Sequence, residues 1–124
     1  MARVRLLRIV LPVAIALAAT ACSREDTPTA SKAFCRAADR YNHELERQQQ
    51  RDEIDTDRQI ARVEDLVAEA PRKIEADAQT FLDALRRVQD DPSIKGDPAI
   101  QEAVDNVNRF ANQACGVYER RGGL

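Results

Sequence analysis

The stretch PRKIEADAQTFLDALRRV, residues 71–88, decides the fold class of this 124-residue chain. Its apolar side chains recur every three or four positions, at Ile74, Ala78, Phe81, Leu82, Leu85 and Val88. That spacing gathers them on one face of a helix, whereas a half-buried strand would alternate apolar and polar positions. Pro71 suits the first turn of a helix, where its missing N–H leaves no hydrogen bond unmade. We therefore predict an amphipathic helix that opens near Pro71.

Three other stretches carry apolar stripes with the same period, and none shows strand alternation. The first stripe consists of Phe34, Ala38, Tyr41 and Leu45. The second consists of Ile60, Val63, Leu66, Val67 and Ala70. The last consists of Ile100, Val104, Val107, Phe110, Ala111 and Ala114. The sequence thus predicts an all-α protein with four helical segments.

Polar residues and prolines mark where these segments begin and end. The wholly polar run 46–53 is expected to end the first helix. Thr56, with Gln59 three residues later, has the spacing of a capping box for the second helix. Residues 89–96 have the composition of a turn, after which Asp97 is placed to cap the last helix and Pro98 to open it.

The first 21 residues have the build of a secretory signal peptide. Arg3, Arg5 and Arg8 give a positive start, residues 9–19 are apolar, and Ala19-Thr20-Ala21 supplies small residues at a cleavage site. The apolar run, at most about 13 residues, is short of the ~20 that a membrane-spanning helix needs. We therefore expect the protein to be exported, with a permanent transmembrane anchor as the weaker interpretation.

The exported part is acidic. Removing the three leader arginines from the 19 basic residues leaves 16, against 21 acidic residues, so the formal charge after cleavage is −5. Nucleic-acid-binding domains usually carry a strong basic surplus. We accordingly expect no nucleic-acid partner.

The end of the leader, Leu17-Ala18-Ala19-Thr20-Ala21-Cys22, resembles the lipobox of bacterial lipoproteins. The resemblance implies that Cys22 becomes the first mature residue and carries the lipid, and that the polar residues up to 30 form a tether on the extracytoplasmic face of the cell membrane. Ala19-Thr20-Ala21 also fits the general signal peptidase at the same bond. On that alternative the protein is secreted without a lipid.

Lipidation of Cys22, as the resemblance implies, leaves Cys35 and Cys115 to form a disulfide bond. Closing a loop of 80 positions would contribute about 4.5 kcal/mol in the chain-entropy model. A disulfide needs its Cα atoms within ~7 Å, and only an even number of antiparallel helices brings these two cysteines to the same end. We therefore expect an up-down-up-down bundle over 31–118 with a tail at 119–124; the alternative is three helices, one of them kinked at Pro71.

The chain also resembles a group of small, uncharacterised helical lipoproteins and secreted proteins of high-GC Gram-positive bacteria. The residues that carry this resemblance are Phe34-Cys35-Arg36-Ala37-Ala38, Ala70-Pro71 and Cys115-Gly116. The group has no established activity to transfer. The resemblance therefore implies a fold and a location, and no reaction.

Catalytic and cofactor motifs are missing from the sequence. His43 is the single histidine and does not belong to an E-x-x-H pair, and neither Ser31 nor Ser93 has a base identified beside it. Phosphate-binding glycine motifs are also missing. We expect no catalytic, cofactor or metal site, and a membrane-tethered interaction or structural module with an envelope protein as partner. The alternative is a carrier that binds a small molecule or peptide between helices.

Overall fold

The computed structural model describes residues 28–117, which form four α-helices and one short 3₁₀ helix. The helices are α1 (Lys32–Arg51), α2 (Thr56–Glu69), α3 (Glu75–Arg87) and α4 (Pro98–Cys115), with the 3₁₀ helix at Pro92–Gly96. Strands do not occur in this described part of the chain. The predicted leader, Cys22, most of the tether and the predicted tail lie outside the described residues.

The four helices pack as a closed ring, so the predicted bundle is confirmed. Each helix contacts its neighbours in sequence, α4 returns to contact α1, and α3 lies diagonally across from α1. Cys35 near the start of α1 forms a disulfide bond with Cys115 at the end of α4, with the Cα atoms 5.4 Å apart. The predicted pairing and the even number of passes are therefore confirmed.

Pro71 lies in a turn, so the alternative of a kinked long helix is wrong. Helix α2 ends at Glu69 and α3 begins only at Glu75. The backbone N–H of Ile74 donates to the carbonyl of Pro71 at 3.0 Å, which closes the turn between the two helices. The expectation that Pro71 occupies the first turn of α3 is also wrong, because a full turn of chain separates it from that helix.

The core is built from the predicted stripes. Phe34 and Val63 are completely buried, and Phe34 meets Phe110 edge to face with ring centroids 5.6 Å apart. Tyr41 remains half-buried and packs edge to face on Phe81 at 5.7 Å. These aromatic pairs join α1 to α4 and to α3, which is how three phenylalanines suffice for a bundle of this size.

Helix α1 is longer than the apolar pattern predicts. The polar residues expected to end it continue the helix to Arg51, and Asp52 then ends it in the left-handed conformation at φ 51°. The reason is Gln48, which is buried at the α1–α2 turn although it is polar. The apolar pattern does not predict this last turn of α1, because the side chain that the turn buries is the amide of Gln48.

The structure confirms one of the two predicted helix caps. Asp97 accepts the N–H of Ala99 and Pro98 opens α4, as expected. Gly116 ends α4 at φ 61°, a conformation that suits glycine. The capping box at Thr56 is wrong by one residue, because Asp55 caps α2 by accepting the N–H of Arg58. A carboxylate is at least as good a cap as a hydroxyl, and it stands one position earlier.

The bundle has two distinct ends. The disulfide end holds the start of α1, the α2–α3 turn and the end of α4. The distal end, about 30 Å away along the 20 residues of α1, holds the α1–α2 turn and the 3₁₀ helix. Residues 28–31 therefore enter the bundle at the disulfide end. Among the described helices, none is both long and apolar enough to cross a membrane.

Candidate functional site

The α1–α2 turn is fixed by one buried side chain, Gln48. Its Nε2 donates to Glu44 Oε1 at 3.1 Å and to the Asp55 carbonyl at 3.2 Å. Its Oε1 accepts the Asp55 N–H at 3.1 Å and Gln59 Nε2 at 2.8 Å. Both donor hydrogens and both acceptor positions of the amide are thus used. Gln48 thus bonds both the N–H and the carbonyl of Asp55 and holds the turn against α1.

Glu44, one helical turn before Gln48 in α1, accepts a hydrogen bond from the Gln48 amide. Its side chain is only 4% exposed, and it accepts Arg47 Nη2 at 2.6 Å while Arg58 Nη1 stands 3.9 Å away. The hydrogen bond from Gln48, helped by the positive charges of Arg47 and Arg58, holds the pKa of Glu44 below its ordinary value of 4.5 against the opposing effect of burial. A buried carboxylate with these partners keeps its charge and orients the Gln48 amide.

The rigid turn carries an unusually exposed apolar side chain, Ile54, which is 82% exposed. Ile54 stands between Asp52 with its left-handed backbone and Asp55 with its backbone held by Gln48. The turn therefore cannot easily fold Ile54 inward. A branched aliphatic side chain held in water by its own backbone is a candidate contact residue for a partner.

Ile54 stands at the edge of an apolar cleft at the distal end. The cleft has a volume of about 170 Å³. Its walls come from α3, the 3₁₀ helix and α4, and they include Phe81, Leu85, Ile94, Ile100 and Val104. Ile94 is 8% exposed, so the 3₁₀ helix forms a wall of the cleft through a residue that is itself packed.

Four polar residues surround the apolar lining, namely Thr56, Gln59, Lys95 and Gln101. Two of them are already held in place, because Gln59 donates to Gln48 and Gln101 Nε2 donates to the Lys95 carbonyl at 2.5 Å. The arrangement offers shape and apolar surface with few directed polar groups. It can bind an apolar side chain or ligand, and it has no nucleophile paired with a base.

The residues considered for chemistry in the sequence lie apart. Ser31 caps α1 by accepting the N–H of Phe34 at 3.0 Å, and Ser93 donates its hydroxyl to Asp91 in the 3₁₀ helix. His43 is exposed and its Nδ1 lies 3.4 Å from Glu46 Oε2. Ser31 and His43 are twelve positions apart along α1, which corresponds to a rise of about 18 Å. Within residues 28–117 no group of His, Cys, Asp and Glu could hold a metal ion.

Sequence reasoning missed Ile54, Gln48 and Glu44. Ile54 left a visible signal, since it is a lone apolar residue inside a polar stretch and fits no stripe. Gln48 and Glu44 left none, because polar residues at these positions read as solvated. Cys22, the predicted lipid site, lies outside the described residues.

Comparison with known proteins returns no relatives. No protein-family model, no curated protein and no solved structure matches this chain.

Proposed function

We propose that the protein is an exported lipoprotein, held on the extracytoplasmic face of the membrane by acylated Cys22, that docks an envelope protein without catalysing a reaction. The leader and the cysteine directly after it support export and anchoring. The Cys35–Cys115 disulfide supports the same location, because disulfides persist in oxidising compartments outside the cytosol.

The distal cleft is the observation that carries the docking proposal. The tether enters at the disulfide end, whereas the cleft and the exposed Ile54 lie about 30 Å away at the other end. A partner can therefore reach the cleft without meeting the anchor. An apolar pocket beside a fixed, exposed aliphatic side chain is the kind of centre around which protein interfaces form.

The size of the cleft favours a protein partner over a carried small molecule. Small-molecule sites usually have volumes of about 300–1,000 Å³ and enclose most of the ligand. The volume here is about 170 Å³. It suits one inserted side chain, so the carrier function is the weaker candidate.

The anchoring part is tested by the intact mass of the protein from the membrane fraction of its host. The expected mass is Cys22–Leu124 plus a diacylglyceryl group, with two cysteines alkylated after reduction and none before. The bare Cys22–Leu124 mass in the culture medium would contradict the anchor and leave a free secreted bundle.

The docking part is tested by a photo-crosslinking residue placed at position 54 in the host. The matched control places the same residue at Gln113, which is exposed on α4 near the disulfide end. We expect a discrete adduct with one envelope protein from position 54 and none from position 113. Equal labelling from both positions would show non-selective contact and contradict docking at the cleft.

A further inference from the structure

Helix α1 presents a basic face along its whole length. The face consists of Lys32, Arg36, Arg40, His43, Arg47 and Arg51, and all six residues are exposed. At 100° of rotation per residue, they fall within a sector about 100° wide on the side of α1 opposite its buried residues. The face begins in the first turn of α1 and ends in the last, a length of about 30 Å.

The basic face differs in sign of charge from the rest of the bundle. Helix α1 carries five Lys and Arg residues against three acidic residues, whereas the rest of residues 28–117 carries eight basic and fifteen acidic residues. The described chain is therefore polarised, with its positive side on one outward helix. Attraction to an anionic surface would then orient the whole bundle.

Some of the basic side chains on this face already have an acidic neighbour. Arg40 lies 3.7 Å from Asp65 and Arg47 lies 2.6 Å from Glu44. His43 lies 3.4 Å from Glu46. The Arg40–Asp65 pair joins two exposed side chains and is screened by salt, so an anionic surface can compete for Arg40. Arg47 stays bound to the buried carboxylate of Glu44 and extends the positive charge of the face from there. Lys32, Arg36 and Arg51 enter no ion pair within the described residues, and they stand at both ends of the face.

We propose that the basic face of α1 rests on an anionic lipid bilayer. Charge complementarity supports this, and so does the length of the face, since a row of basic side chains about 30 Å long matches an extended surface better than a compact anion. The proposal rests on the proposed function for its anchor. Residues 23–30 span at most about 28 Å when extended, so acylated Cys22 would keep the start of α1 within reach of the bilayer.

This orientation leaves the distal cleft accessible. Helix α3 supplies Phe81 and Leu85 to the cleft, and it lies diagonally across the bundle from α1. With α1 on the bilayer, α3 is on the side that faces away from the lipid. The bundle then lies parallel to the membrane, and a partner approaches the cleft from beside it.

The test measures binding of the chain from residue 22 onward, carrying Cys22→Ser so that no lipid contributes. The probes are vesicles of phosphatidylcholine alone and vesicles with an equal amount of phosphatidylglycerol, at low and high salt. Sedimentation of the vesicles reports the bound fraction. We expect binding to the anionic vesicles only, and its loss at high salt, because each basic residue near such a surface raises partitioning about fivefold.

A pair of charge-matched variants locates the binding face. The first is Arg36→Glu with Arg51→Glu on the basic face, and the control is Arg87→Glu with Arg109→Glu on α3 and α4. Both change the net charge equally, and circular dichroism checks that both fold. We expect the first to weaken binding to anionic vesicles at least about tenfold and the control to weaken it much less.

Equal loss in both variants, or no preference of the parent chain for anionic vesicles, would overturn the proposal. Binding of the same face to soluble polyphosphate, without binding to vesicles, would overturn the choice of a bilayer as the occupant. None of these outcomes depends on acylation of Cys22. If the vesicle test fails, the proposed lipid anchor and the proposed docking at the cleft are unaffected. If the intact mass shows a secreted protein without a lipid, the proposed membrane contact of the basic face is likewise unaffected.

Discussion

Replacement of Gln48 by alanine should be the most destabilising change at any polar residue of the α1–α2 turn. The substitution removes the four hydrogen bonds of the Gln48 side chain, one to Glu44 within α1, one to Gln59 of α2 and two to the backbone of Asp55. The truncated side chain also leaves space at a position that is only 7% exposed. Both effects act on the folded state, because the unfolded chain exchanges these partners for water.

The magnitude follows from the partners that remain. Four hydrogen bonds at about 1 kcal/mol each would amount to ~4 kcal/mol. The Asp55 carbonyl keeps the N–H of Gln59 at 3.1 Å, and Glu44 keeps Arg47, so neither group is orphaned. Alanine also returns a few tenths of a kcal/mol in helix propensity. We expect a loss of about 3 kcal/mol, or a fall in Tm of roughly 12–24 °C for a domain of this size.

Urea denaturation followed by circular dichroism measures this loss directly. The matched control is Gln49→Ala, because Gln49 is the same residue type in the same turn of α1 and is exposed. Its expected change is within about 0.5 kcal/mol. A double-mutant cycle with Gln59→Ala adds a second readout, since Gln59 should lose its coupling once Gln48 is gone.

A loss below about 1 kcal/mol for Gln48→Ala, equal to that of Gln49→Ala, would refute the reasoning. It would mean that the amide exchanges its partners for water at no net cost. The turn would then be held by its backbone bonds alone, and the exposed position of Ile54 would need another cause.

Three further outcomes are expected of the same fold. Replacing both Cys35 and Cys115 by serine should lower the free energy of unfolding by about 4.5 kcal/mol in urea titrations; an unchanged midpoint would contradict a stabilising bridge. The pKa of Glu44 is lowered in the folded state, so its ionised carboxylate stabilises the fold. This contribution to the free energy of unfolding is complete above pH 4.5 and is lost as the pH falls through the lowered pKa. Unfolding titrations on the acid side should therefore give a flatter pH dependence for Glu44→Gln, and identical slopes would argue against the shift. Asp97→Ala removes the cap of α4 and should cost about 1 kcal/mol in thermal melts; a change no larger than that of the exposed Asp105→Ala would contradict the cap.

The four passes of the fold were predictable because apolar periodicity and cysteine geometry constrain each other. The stripe through Phe81 and Leu82 predicts a helix, and the bridge between Cys35 and Cys115 requires an even number of helices. The start of α3 was less predictable. Pro71 is compatible both with a first helical turn and with the turn that precedes a helix, and local propensity does not separate the two.

Most of the candidate site could not be predicted from the sequence. Gln48 and Glu44 are buried because the α1–α2 turn folds over them, which is a tertiary event that their residue types argue against. The composition of residues 89–96 places Ile94 in a turn, yet Ile94 is buried in the 3₁₀ helix. The cleft arises from the meeting of that segment with α3 and α4. Sequence patterns describe each segment singly, so they do not predict a cavity formed by three of them.

The disulfide gives the bundle an unequal response to mechanical load. Tension between residue 28 and residue 117 would pass through the covalent bond that joins Cys35 to Cys115, and the helices between them would bear almost none of it. A pull from the distal end has no such shortcut. Such a force would load the hydrogen bonds between Gln48 and the backbone of Asp55 before it reached the rest of α1. The α1–α2 turn would therefore open first.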